Sequence, residues 1–201
     1  MISTFGGDDA IDAGSGDNRV WSGDGDDTII TGGGDDDIEA GDGNDIINAG
    51  NGDNRVDGGD GDDIIITGSG EDRIEAGRGN DIVYAGAGND RIDGGRGDDV
   101  LSGGAGHDEL RGEDGRDILI GGDGADRLDG SHDDDLLIGG LAEFEMSPAS
   151  LATASAAWAD GRLQDALLSL GTIEDDLSID RLFGGRGKDE LFGDHLDRLR
   201  P

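Results

Sequence analysis

From Gly14 to Gly139 the chain divides without a gap into fourteen nonapeptides, beginning GSGDNRVWS, GDGDDTIIT and GGGDDDIEA and ending SHDDDLLIG. Each follows G-x-G-x-D-x-U-x-small, where U is aliphatic. Position one is Gly in twelve of the fourteen units, with Glu113 and Ser131 departing, and position three is Gly in thirteen, with Asp133 departing. Position five is Asp in twelve units and Asn in two, Asn18 and Asn54, and position seven is Val, Ile or Leu in all fourteen. A degenerate copy, FGGDDAIDA, leads in at Phe5, and GRGKDELFG returns at Gly185 after an interruption. Self-similarity at a short fixed period is the mark of a stacked repeat, in which each unit buries its apolar face only against its neighbours.

Paired glycines let the backbone turn at positive φ without a Cβ clash. The three residues around each aliphatic one can then extend as a short strand with the aliphatic side chain pointing inward. Position six alternates between units: Arg19, Asp37, Arg55, Arg73, Arg91, Glu109 and Arg127 are charged, whereas Thr28, Ile46, Ile64, Ile82, Val100, Ile118 and Leu136 are mostly apolar. The true period is therefore eighteen residues, with two strands per coil. The expected fold is mainly β: two parallel sheets facing each other across a core one side chain deep.

Composition fits this only because it is ordered. Gly and Asp supply 42 and 40 of 201 residues, a mixture that without periodicity would read as disordered. The formal net charge is −34, which excludes nucleic acid and anionic membrane as partners, since both need basic surface. There is no Cys for a disulfide or thiolate zinc site, and no apolar span of membrane length. The natural counter-charge is a cation.

The stacked coils place Asp27, Asp45, Asp63, Asp81, Asp99, Asp117 and Asp135 on one edge of the solenoid, and Asp36, Asp72, Asp90, Asp108 and Asp126 on the other. Each carboxylate then has a partner one coil away, and the columns repel themselves. Two carboxylates plus the carbonyl oxygens exposed by glycine form a hard, oxygen-only shell of the kind Ca²⁺ prefers; Mg²⁺ wants tighter octahedral geometry, and zinc wants nitrogen or sulfur.

These units resemble the glycine- and aspartate-rich nonapeptides of RTX proteins, the haemolysin-type calcium-binding repeats, a motif known generally as a calcium-binding β-helix repeat. The resemblance implies a right-handed parallel β-roll whose Ca²⁺ ions are held between coils by the position-five Asp and by Gly carbonyls. Here those carbonyls would belong to Gly25, Gly34, Gly43, Gly61, Gly70, Gly79, Gly88, Gly97 and Gly106. Asn18 and Asn54 would supply a neutral oxygen where the family has carboxylate, so the sites near them are expected to be weaker. Asp133 stands where the turn calls for Gly, so the last turn is where the geometry is expected to depart. Pairing each unit with the one two further on gives up to about twelve inter-coil sites, and twelve Ca²⁺ would take −34 to −10. The resemblance also implies export from a Gram-negative-type bacterium through a type I secretion route.

The outward faces differ. One sheet presents charged pairs such as Arg73 with Glu75 and Arg91 with Asp93. The other presents two apolar columns, among them Ile30, Ile46, Ile64, Ile66, Ile82, Tyr84, Ile118, Ile120 and Ile138, and an exposed patch of that size usually has a partner. Residues 140–175 leave the repeat and gain Ala and Leu. Ser147-Pro148 reads as a helix start, and Leu151, Ala154 and Trp158, then Leu163, Leu167 and Leu170, recur at helical spacing. The expected organisation is a degenerate first repeat or cap over 1–13, a fourteen-unit roll over 14–139, a helical hairpin over 140–175, and returning copies with a tail over 176–201. The hairpin would cover part of the apolar face or cap the final coil.

No catalytic constellation is present. His107, His132 and His195 are far apart and belong to no H-E-x-x-H motif, and acidic pairs such as Asp62-Asp63 recur with the repeat, which makes them architecture rather than glycosidase carboxylates. The GDGDD strings lack the Lys and following helix of a phosphate loop. The reading is a calcium-binding module, not an enzyme, that folds on binding Ca²⁺ after export and serves as a structural, secretion-assisting segment of an extracellular or cell-surface protein. The alternative is an adhesin or surface-layer segment that binds a partner, or another domain of a larger protein, through its apolar face. Ice binding would need a regular outward Thr or Asx ladder, and the outward threonine is essentially Thr28.

Overall fold

The computed structural model describes residues 1–140, 153, 156–157, 181–192 and 198–200. These residues form a parallel β-solenoid of about eight turns with two sheets. One sheet runs Ile2–Ser3, Arg19–Asp24, Asp37–Asp42, Arg55–Asp60, Arg73–Arg78, Arg91–Arg96, Glu109–Asp114, Arg127–Ser131, Arg181–Phe183 and Arg198–Arg200. The other runs Ala10–Asp12, Thr28–Gly33, Ile46–Asn51, Ile64–Thr67, Ile82–Ala87, Val100–Ala105, Ile118–Asp123, Leu136–Ile138 and Glu190–Phe192. Every described strand pair is parallel. From Ile2 to Leu137 the register is eighteen residues, as in Val20 opposite Ile38 and Ile38 opposite Val56, with one slip where Gly50 lies opposite Thr67.

Most strands hold six residues where position seven alone suggested three. They run from position six through the first two positions of the next unit, because the pleat turns position nine inward as well. Arg19–Asp24 shows the alternation: Val20 and Ser22 are buried and Arg19 is exposed. The core is accordingly two files per sheet, a large aliphatic at position seven (Ile29, Ile47, Ile65, Val83, Leu101 and Leu119 on one side) and a small residue at position nine (Ala40, Ala49, Ala76, Ala85). Hydroxyls in the small file are satisfied across coils: Ser22 Oγ donates to Ala40 O at 2.9 Å, and Thr31 Oγ1 to Ala49 O at 2.8 Å.

Glycine is required where coils touch. Gly43 has φ +137°, and a Cβ there would collide with the carbonyl of Gly25 one coil back. The three turn positions that lack glycine, in two units, still make the turn. Glu113, Ser131 and Asp133 take φ of 76°, 71° and 70°. Asp133 therefore does not deform the last turn but adopts a left-handed conformation that L side chains disfavour.

After Gly140 the chain returns in register. Leu182 lies opposite Leu128 and Leu191 opposite Leu137, a displacement of three full coils in sequence but one in space. Of residues 140–175, Thr153, Ala156 and Ala157 are described beyond Gly140, each in helical conformation, with Ala157 buried. The hairpin itself lies outside the described residues.

The charged face carries exposed ion pairs, Arg19–Asp37 at 2.8 Å, Arg73–Glu75 at 2.9 Å and Arg91–Glu109 at 2.9 Å among them. On the apolar face the columns divide. Ile30 and Ile46 are 46% and 48% exposed, whereas Val100, Ile118, Ile120, Leu136 and Ile138 are buried.

Candidate metal centre

Each strand is entered through the dipeptide at positions four and five, and the two side chains reach in opposite directions along the stack. Position four reaches forward: Asp26 Oδ1 accepts from the backbone N–H of Asn44, Asn44 Oδ1 from that of Asp62, and Asp62 Oδ1 from that of Asn80. This exposed ladder escaped the sequence reading, although the recurring D-D and N-D dipeptides were its signal. His107 stands in the matching ladder on the opposite edge, with Nδ1 accepting from Ala125 N at 3.0 Å, which requires the proton on Nε2. His132 Nδ1 lies 3.1 Å from Asp114 Oδ1 on the surface.

Position five reaches backward and is buried. Asp45 Oδ1 accepts from Asp27 N at 2.7 Å, Asp63 Oδ1 from Asp45 N at 2.8 Å, Asp81 Oδ1 from Asp63 N at 2.8 Å, and Asp99 Oδ1 from Asp81 N at 2.8 Å. The opposite edge repeats the pattern, with Asp72 Oδ1 accepting from Asn54 N and Asp90 Oδ1 from Asp72 N, both at 2.8 Å. All twelve sequence-derived aspartates, including Asp108, Asp117, Asp126 and Asp135, fall in these two columns, each at most 2% exposed.

That leaves the second oxygen. Oδ2 of Asp27, Asp36, Asp45, Asp63, Asp81, Asp90, Asp99, Asp108, Asp117 and Asp135 is buried without a hydrogen-bond partner. The Thr67 hydroxyl stands beside Asp72. Burying an unpaired oxygen costs about 1–3 kcal/mol, and more when it is charged. The carboxyls respond by holding protons. Burial, aided by the carboxylates of adjacent coils, pushes Asp63 up to about 8 and Asp99 and Asp135 to about 9. Burial likewise raises Asp81, Asp90 and Asp117 to about 7, and Asp45 and Asp108 to about 6. In each case the N–H bond to Oδ1 pulls the other way and loses.

The two amides show what surrounds the orphaned atom. Asn54, 2% exposed, keeps the same Oδ1 bond, accepting from Asp36 N at 3.1 Å. Its Nδ2, which stands where an aspartate has Oδ2, donates to Gly52 O at 2.9 Å and Gly50 O at 3.3 Å. Asn18 Nδ2 does the same, to Gly16 O at 2.5 Å and Gly14 O at 3.1 Å. In these two units the acceptors are thus the carbonyls of both glycines of the unit. The sequence reading named the second of these, in Gly25, Gly34, Gly43 and their equivalents, and missed the first.

Among the described residues no group of three or more His, Asp or Glu side chains converges as a metal cage. A cation here would have to be held by one or two carboxylates completed by backbone carbonyls. The donor set fits that role: it is all oxygen, rigid, buried and over-supplied with negative charge, which suits a large hard dication. Among the described residues no helix is long and apolar enough to cross a membrane.

A family model described as RTX calcium-binding nonapeptide repeat (4 copies) matches residues 3–38, 30–65, 39–74, 66–101, 75–110, 84–119, 111–142 and 172–194. No curated protein matches the chain.

Proposed function

The chain belongs to the RTX calcium-binding nonapeptide repeat family, and from that premise we propose that it is a calcium-dependent folding module of an exported protein. The repeats of this family bind Ca²⁺ in general, and the observation that supports assigning the ions to position five is the set of buried, unpartnered Oδ2 atoms on both edges of the solenoid. Calcium supplies the positive charge that these carboxylates lack. The chain supplies the rest: Oδ1 is fixed by the preceding coil's N–H, Oδ2 is aimed away from water, and the glycine carbonyls stand where a side chain would block them.

On this reading the carboxylate columns keep the chain unfolded where calcium is scarce, which suits passage through an exporter. Outside, sites of the extracellular class, with dissociation constants of about 10⁻⁴ to 10⁻³ M, fill as the coils stack, and binding free energy becomes folding free energy. The module then acts as a structural, secretion-assisting segment rather than as a catalyst. Equilibrium dialysis of the full chain against calcium tests the assignment. Several ions per chain, up to about twelve, are expected, and a Asp63→Ala, Asp99→Ala double variant should lose ions. Binding of no more than one ion, or an unchanged count in the variant, would refute it.

The exposed Ile30 and Ile46 on the apolar face favour a second reading, an adhesin or surface-layer segment. It requires concentration-dependent association of the calcium-loaded chain, or capture of another domain through that face.

A further inference from the structure

We propose that Asn54 is an internal amide plug: its side-chain NH₂ takes over the cation's part toward the glycine carbonyls, so this turn closes without a metal ion in the middle of a metal-dependent column. The inference rests on the calcium reading and concerns which turns need the ion.

Chemistry fixes the orientation of the amide. The backbone N–H of Asp36 can only donate, so the atom 3.1 Å from it must be Oδ1. That forces Nδ2 to the other side, where Gly52 O and Gly50 O accept its two hydrogens. At 2% exposure water has little access as a competing donor. An aspartate in the same pose would keep the first bond and set an oxygen against these oxygens, and Asp63 and Asp99, which do have a carboxylate here, leave their Oδ2 atoms without a partner. One atom, NH₂ against O⁻, thus separates a turn that satisfies itself from one that needs a cation. Asn18 repeats the arrangement at the first unit, through Gly16 O and Gly14 O.

Both amides lie on the same edge. Asp36 is therefore the lone carboxylate between two plugs, and the uninterrupted carboxylate column on that edge starts only at Asp72. The opposite edge has no amide at position five from Asp27 to Asp135. The N-terminal part of one edge is thus built to stack before calcium arrives, giving the metal-triggered coils a template. This differs from the weaker calcium site that a neutral oxygen at position 54 would make.

The test compares the full chain with Asn54→Asp and with Asp63→Asn. For each protein, calcium stoichiometry is measured by equilibrium dialysis and the calcium midpoint of folding by circular dichroism. Asn54→Asp should bind at least one more Ca²⁺ than the wild type and need more calcium to fold. Asp63→Asn, which installs a plug, should bind at least one fewer and fold at lower calcium. An unchanged count in Asn54→Asp, or a higher midpoint in Asp63→Asn, would overturn the proposal while leaving calcium binding intact. If none of the three proteins binds calcium, the functional reading fails instead.

Discussion

Protons should replace calcium. Eight buried position-five carboxyls titrate between about 6 and about 9, against 3.8 when exposed. A raised folded-state value means that the folded chain binds more protons than the unfolded one. Its contribution to stability is fully present below the unfolded value and is lost as pH rises through the folded one. At 1.36 kcal/mol per unit, each of these groups costs about 3–4 kcal/mol at pH 7 and about 2 kcal/mol at pH 5. Across eight groups the relief is on the order of 10 kcal/mol, comparable to the whole stability of a domain. The exposed Arg–carboxylate pairs contribute under about 1 kcal/mol each, so they do not reverse the sign. The metal-stripped chain should therefore be largely coil at pH 8 and gain β-structure by pH 5, which is still above the isoelectric point of about 4.1. Far-UV circular dichroism at several pH values, with sedimentation velocity to confirm that the chain stays monomeric, reads this directly. A stripped chain equally folded at both pH values, or one that loses structure on acidification, would refute the reasoning.

Other expectations concern packing. Gly43→Ala must place a side chain at φ +137° and against the Gly25 carbonyl, so it should destabilise the calcium-loaded form by well over about 1 kcal/mol, seen as a lowered melting temperature. Asp133→Gly relieves a left-handed residue at φ 70° and should stabilise by up to about 1 kcal/mol, the gain trimmed by the greater freedom of glycine in the unfolded chain. Ile92→Ala empties a fully buried position in a file one residue wide, and should cost about 2–5 kcal/mol in denaturant melts.

Much of this architecture was legible because the repeat writes its geometry many times over. The aliphatic at position seven and the alternation at position six gave two sheets and an eighteen-residue coil, as Val20 opposite Ile38 bears out. What escaped was information carried by atoms rather than residue types. Position nine looked merely small, but the pleat turns Ser22 and Ala40 into the core and lengthens the strands. Val100 and Ile118 read as outward and exposed, and they are outward but buried. The carboxylate columns were predicted, yet that Oδ1 would be taken by the previous coil's N–H while Oδ2 was left bare depends on hydrogen-bond direction, which a residue pattern does not encode. For the same reason the pattern showed Asn54 only as a neutral oxygen, and not its amide hydrogens donating to Gly50 and Gly52.

The central claim is that buried carboxylates make folding conditional on a hard dication, and a calcium titration of the metal-stripped full chain at pH 7.5, followed by far-UV circular dichroism with magnesium in parallel, tests it most directly. The account requires a cooperative change from coil to β at sub-millimolar to millimolar Ca²⁺ that Mg²⁺ does not reproduce. A stripped chain already folded at that pH, or a transition driven equally by both ions, would contradict it.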